Sequence, residues 1–278
     1  MEDTDPSEPT GPGPSPQRQS RLFTLLYSAD EVQQRSRQIY DEMLARSPNL
    51  QTANFTRIGA DDLERLFAAY DREFFRGRLS EMLLEDRALP MGFRLSGRLV
   101  RAAGMTTRLT RPVRTLGQGK GKSELEYEYE ISVSTTLLFG TFRDVERAVS
   151  VGGLEVHDRL EALQRIFEHE LLHLAEFLGW GKSNCRAANF RSLSRRIFAH
   201  EAAYHDLVTP REQAVVAHGI TVGDKVTFEY EGVRRVGRVN RITRRASILV
   251  ESPDGRPFSD GKRYLTFYVP LPMLQKLP

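Results

Sequence analysis

Phe167–Trp180 reads FEHELLHLAEFLGW, and its residue types are hard to explain by folding alone. It contains HExxH. On a helix of 3.6 residues per turn, His169 and His173 are i and i+4, so both imidazoles project from one face and can grip the same ion. Glu170 sits about 100° around the helix from His169, close enough to reach a water at such an ion without closing a coordination site. Leu160, Leu163, Phe167, Leu171, Leu174 and Leu178 keep an i, i+3, i+4 rhythm over a helix starting near Arg159, so that side is buried and the histidine face points elsewhere. The competing reading is an amphipathic helix with two incidental histidines. The layout favours a metal-activated hydrolase.

A catalytic zinc takes three protein ligands and leaves a position for water, so two histidines are not enough. Six residues after His173, where one class of zinc peptidases has a third histidine, this chain has Gly179; twenty residues after it, where another class has glutamate, stands Leu193. Glu176 is on the same helix and is better placed as an acid behind the ligands or as a solvated charge. Two candidates remain. Cys185 follows the break GWGKSN, expected to end the helix from Gly179, and would open the next helix, whose N-terminus favours a thiolate. His200, with His205 behind it, closes that helix. The two candidates would be about 22 Å apart along an unbroken helix, so both can hardly bind one ion. Cys185 is preferred because the chain must turn back just before it.

Working outward, residues 1–21 are rich in Pro, Ser, Gly and acidic residues and read as a disordered tail. Residues 22–58 hold a helical segment with Leu26, Val32, Ile39 and Met43 at helical spacing, capped by Ser28 or Asp30. A helix over about 60–75, capped by Asp61 or Asp62, carries Leu63, Leu66, Phe67, Tyr70 and Phe74 on one stripe. Alternation from Gly92 through Leu109 predicts a strand pair, Pro112–Lys122 a basic loop, and residues 126–139 (EYEYEISVSTTLLF) the clearest strand. Phe190, Leu193, Ile197 and Phe198 define a further helix. Beyond a boundary near Thr209 and Pro210, residues 212–278 show short strands near 225–230, 234–242, 246–252 and 263–269, separated by EG, PDG and SDG turns. This spacing predicts a small SH3-like β-barrel.

The 278 residues carry a net charge of +3, compatible with a nucleic-acid partner without demanding one. The single cysteine excludes an intramolecular disulfide, and no apolar run approaches the ~20 residues that span a bilayer. A cytoplasmic protein, with DNA association open, is the expectation.

In YDREFFRGRL, GRLVRAAGMT, ISVSTTLLF and above all FEHELLHLAEF, the chain resembles the SprT-like zinc metalloprotease family over about residues 60–205. The resemblance implies an α+β fold, a zincin-like domain of helices and a small mixed sheet over 59–208. It also implies Zn2+ as cofactor, His169 and His173 as ligands, Glu170 as general base and a protein substrate. The family's third ligand is the histidine of an HGxxF motif. Here Phe190 matches, but the strict register puts Arg186 and Ala187 at the His and Gly positions; arginine cannot serve as a ligand, and a one-residue offset brings Cys185 into the role. The strand Ile131–Phe139 is expected to offer an edge to an extended substrate.

Family members act on proteins trapped on DNA, and the C-terminal module bears on that. Arg234, Arg235, Arg238, Arg241, Arg244 and Arg245 fall within twelve residues, a natural set for phosphate. They equally suit a solvated strand face that resists aggregation, or docking of a protein. The two functional readings are a zinc metallopeptidase with a docking barrel, and a non-catalytic, zinc-stabilised adaptor for DNA or protein.

Overall fold

The computed structural model describes residues 16–86, 88, 90–114, 123–142 and 147–278. The chain is mixed α+β and divides into two compact units, one taking in residues up to Leu95, Gly104–Val133 and Ser150–His205, the other Ser96–Ala103, Ser134–Val149 and Asp206–Pro278.

In the first unit, α1 (Pro16–Phe23), α2 (Ala29–Arg46), α3 (Ala60–Tyr70) and α4 (Arg78–Glu85) precede β1 (Gly92–Ser96), β2 (Gly104–Arg114) and β3 (Ser123–Ser134). Then come β4 (Val149–Val151) and β5 (Leu154–Val156), which pair with each other, and α6 (Arg159–Trp180) and α7 (Ala188–Phe198). Local chemistry explains the ends. Ser28 and Glu31 form a reciprocal cap on α2. Asp158 accepts from the Glu161 amide to start α6, and Gly181, at φ 69°, ends it in the left-handed conformation that glycine tolerates. Neither Asp61 nor Asp62 caps α3: Gly59 does, and Asp62 instead receives the Gly59 amide at 2.7 Å and the Ser47 hydroxyl at 2.6 Å. A π-helical turn, Asp71–Phe75, continues α3 and delivers Phe74 and Phe75 to a buried aromatic cluster with Tyr70, Phe167 and Phe198.

Three expectations change here. The tail expected through residue 21 lies outside the described residues over 1–15, but 16–21 are helical: Arg18 pairs with Glu85 and Asp86, Arg21 with Glu85, and Leu22 is fully buried. The expected basic loop is strand at 112–114 and lies outside the described residues over 115–122. Gly179 does not break α6. A Cβ there would come 2.9 Å from Leu22 Cδ1, so its glycine makes room for α1, whose Phe23 meets Trp180 edge to face.

The three-stranded sheet has the order β1-β3-β2, with β2 and β3 antiparallel from Gly104 opposite Val133. Since β3 has a strand on each side, the substrate edge expected at Ile131–Phe139 is not there. The strand also stops at Ser134, whose hydroxyl accepts from the Leu137 amide and starts a short helix, α5 (Thr135–Gly140). Among the described residues β2 is an edge, and it runs along α6.

In the second unit, α8 (Pro210–His218) starts at the Thr209 cap. Then come β6 (Lys225–Tyr230), β7 (Val233–Ile242), β8 (Ala246–Pro257), β9 (Arg263–Val269) and β10 (Gln275–Lys276). The EG turn fits the expectation, since Glu231 and Gly232 both take positive φ, as a tight hairpin with the twist of its strands requires. PDG separates nothing; it forms an irregularity inside β8 between Glu251 and Arg256. The order β10-β6-β7-β8-β9 is an open five-stranded sheet, and the closed barrel is not seen. β10 is two residues long, too short a ladder to link the two edges. Val226, Phe228, Val239, Ile248 and Val269 fill the face that α8 covers through Ala214.

Candidate metal centre

α6 carries His169 and His173 one turn apart, their Nε2 atoms 3.1 Å from each other. Cys185, in the turn before α7, joins them: Sγ and the two histidine nitrogens all lie within 4.8 Å of one another, a group that can hold a metal ion. Phe190, the first-turn aromatic of α7, packs its ring against both imidazoles at 4.9 and 4.7 Å between centroids. Desolvation pushes both histidines down, His169 to about 3, with the neighbouring His173 adding to the effect, and His173 to about 4. They are neutral, ligand-ready imidazoles at any ordinary pH.

Behind His173 stands a chain of hydrogen bonds. Glu176, buried on α6, accepts from the Ser183 hydroxyl at 2.8 Å and from the Asn184 amide at 2.9 Å. With its proton committed to Glu176, Ser183 Oγ accepts from His173 Nδ1–H at 2.6 Å. The tautomer follows: Nδ1 carries the proton and Nε2 presents its lone pair toward His169 and Cys185. The same carboxylate pins the loop one residue before Cys185, so a single buried anion orients one ligand and positions another.

Glu170 lies against β2. Thr106 Oγ1 donates to its carboxylate at 2.8 Å and also sits 2.9 Å from its backbone carbonyl. A Cβ at Gly104 would fall 2.6 Å from Glu170 Oε1, so only glycine leaves space for the carboxylate there. Burial raises Glu170 to about 8, against the lowering effect of the Thr106 bonds. A divalent cation beside it opposes that rise.

His200 is elsewhere. Its Nε2 is 2.7 Å from Glu168, one residue before His169 and about 100° around α6 from it, where Tyr70 and Arg165 also bond the same carboxylate. Burial pushes Glu168 up; Arg165, His200 and Tyr70 outweigh this and hold it below the ordinary carboxylate range. The structure thus brings His169, His173 and Cys185 together and leaves His200 hydrogen-bonded to Glu168. Gly104, Thr106 and Ser183 are site residues that sequence reading missed. None has a local signal, since each is defined by partners at least seven residues away.

The six arginines do not form one face. Arg234 and Arg238 point outward from β7, while Arg235 lies half-buried over the Phe267 ring at 5.0 Å. A register shift between Val239 and Arg241 turns Arg241 outward, to join Arg244 and Arg245 at the β7–β8 turn.

No family model, no curated protein and no solved structure matches the chain.

Proposed function

We propose that the chain is a zinc-dependent metallopeptidase of zincin type, resembling the SprT-like family, whose open five-stranded sheet serves as a docking module. The observation that carries the reading is the convergence of His169, His173 and Cys185 on one point, with Glu170 following His169 on the same helix. Two nitrogens and a thiolate form a donor set that zinc favours, and 3.1 Å between the Nε2 atoms is close to the spacing of about 3.3 Å for two tetrahedral Zn–N bonds of about 2.05 Å. When bound, zinc supplies Lewis acidity and acidifies a water toward a pKa of about 7. Glu170 would accept the proton of the attacking water and return it to the leaving amine, with Thr106 fixing the carboxylate's orientation. Edge strand β2 supports an extended peptide adding as a further strand beside Glu170.

Glu170→Gln tests the mechanism. It keeps size and metal ligands but cannot accept a proton, so peptide hydrolysis should fall by at least ~100-fold with zinc content unchanged. Unchanged proteolysis on a broad protein panel overturns the reading.

The second reading, a non-catalytic metal-stabilised adaptor, is favoured by one observation: Glu170 is only 3% exposed and already bonded to Thr106. It requires the same metal content and no hydrolysis in the wild-type chain.

A further inference from the structure

The open-sheet unit contains a cleft that is independent of the metal centre. A cavity of about 340 Å³ is lined by Arg98, Arg241, Arg244 and Arg245, with Gly97, Val100, Thr243, Ser247 and Tyr268 completing its wall. Among the described residues no carboxylate lines it. The ion pairs of this unit use Arg147, Lys262 and Lys276, and among the described residues none of the four cleft arginines has an acidic partner. Four unneutralised guanidinium groups around one hollow repel each other, and an anion relieves that repulsion. A second cavity of about 340 Å³ adjoins it, sharing Val100, Arg241 and Thr243, and carries Arg211 on its wall, again with no carboxylate among the described residues. The binding path is therefore elongated.

Tyr268 narrows the choice of anion. It lies on β9 opposite Ser247 in the ladder, and is 69% exposed at the cleft. An exposed aromatic face beside planar guanidinium groups matches a ligand that alternates phosphates with flat rings. Each cavity is near the small end of ligand pockets, a size for single nucleotides in succession rather than a duplex.

We propose that Arg98, Arg241, Arg244, Arg245 and Tyr268 form a binding cleft for single-stranded nucleic acid, with phosphates on the arginines and a base on Tyr268. The cleft does not rest on the metallopeptidase reading, because none of its residues belongs to the metal centre.

The test is fluorescence anisotropy of the full-length protein with labelled oligo-dT, oligo-U, a DNA hairpin duplex and poly-glutamate across a salt series. Four phosphate contacts predict a log K against log[salt] slope of about −3 on single strands. Arg244→Ala with Arg245→Ala should make it shallower by about 1.4. Tyr268→Ala should weaken binding about 5- to 150-fold without changing the slope, and Tyr268→Trp should restore it. Binding of either oligo-dT or oligo-U supports the cleft, and their ratio identifies DNA or RNA as the preferred source. Equal or tighter binding of duplex or poly-glutamate, or alanine variants that bind like the wild type, overturns it. Both variants change exposed side chains, and circular dichroism confirms their folding.

Discussion

His173 Nδ1 lies 2.6 Å from Ser183 Oγ, and that hydroxyl donates onward to Glu176 at 2.8 Å. A candidate metal ligand on α6 and the loop that carries the cysteine are therefore tied to one buried carboxylate. Ser183→Ala and Glu176→Gln should each weaken metal binding about 10- to 100-fold, the usual effect of removing the group that orients a ligand histidine. Competition with a chromophoric chelator measures it. Affinities equal to wild type would show that the hydrogen-bond chain is incidental.

Cys185 and His200 should separate cleanly. Cys185→Ala is expected to lower metal stoichiometry and to remove the thiolate-to-metal absorption of the Co2+-loaded protein. His200→Ala should leave both unchanged but cost about 3 kcal/mol in chemical denaturation, because it strips a buried partner from Glu168. Loss of metal in the His200 variant alone would reverse the assignment.

The metal-free protein should show a peaked stability–pH profile. His169 and His173 have folded pKa values below the ordinary 6.5, so their contribution is lost as pH falls below about 6.5 toward about 4. Glu170, raised to about 8, holds a proton in the folded state that the unfolded chain releases above about 4.5, so its contribution is lost as pH rises toward 8. Between about 4.5 and 6.5 two histidine protons outweigh one carboxyl proton and stability climbs. Above 6.5 only Glu170 remains, and stability declines by at most about 1.4 kcal/mol per pH unit. Urea titrations at pH 5, 6.5 and 8 test this, and Glu170→Gln should flatten the alkaline limb and steepen the acidic one.

Gly104→Ala should act on Glu170 at a distance in sequence. The added Cβ falls 2.6 to 2.8 Å from the Glu170 Oε1, Cγ and Cδ atoms, so the carboxylate must leave its seat on Thr106. If the chain is a peptidase, activity should drop at least ~10-fold while metal stoichiometry stays at the wild-type value. Full activity in this variant would mean that the seat is not the working position of Glu170.

Gly179→Ala tests the contact of α1 with α6. The new methyl would meet Leu22 Cδ1 at 2.9 Å, and overpacking of this kind costs about 1–3 kcal/mol. Faster proteolysis of the segment around Phe23 would accompany the loss in stability.

Periodicity and spacing in the sequence were enough to place α6 with His169, Glu170 and His173 on it, the helix stripe of α3 and four of the strands in the second unit. Those features depend on the backbone's own repeat of 3.6 or 2 residues, which neighbouring residues display directly. Where sequence reading failed, a distant segment decided. Gly179 is glycine because Leu22 arrives there, and TTLLFG became helix rather than strand when the Ser134 hydroxyl capped it. The six clustered arginines were divided by one register shift in β7, which moved Arg241 to join Arg98 from another part of the chain. The candidate third ligand shows the boundary most clearly. Sequence named Cys185 and His200 as alternatives, but only the tertiary structure, by giving His200 a buried carboxylate and Cys185 a loop anchored on Glu176, placed one of them beside the two histidines.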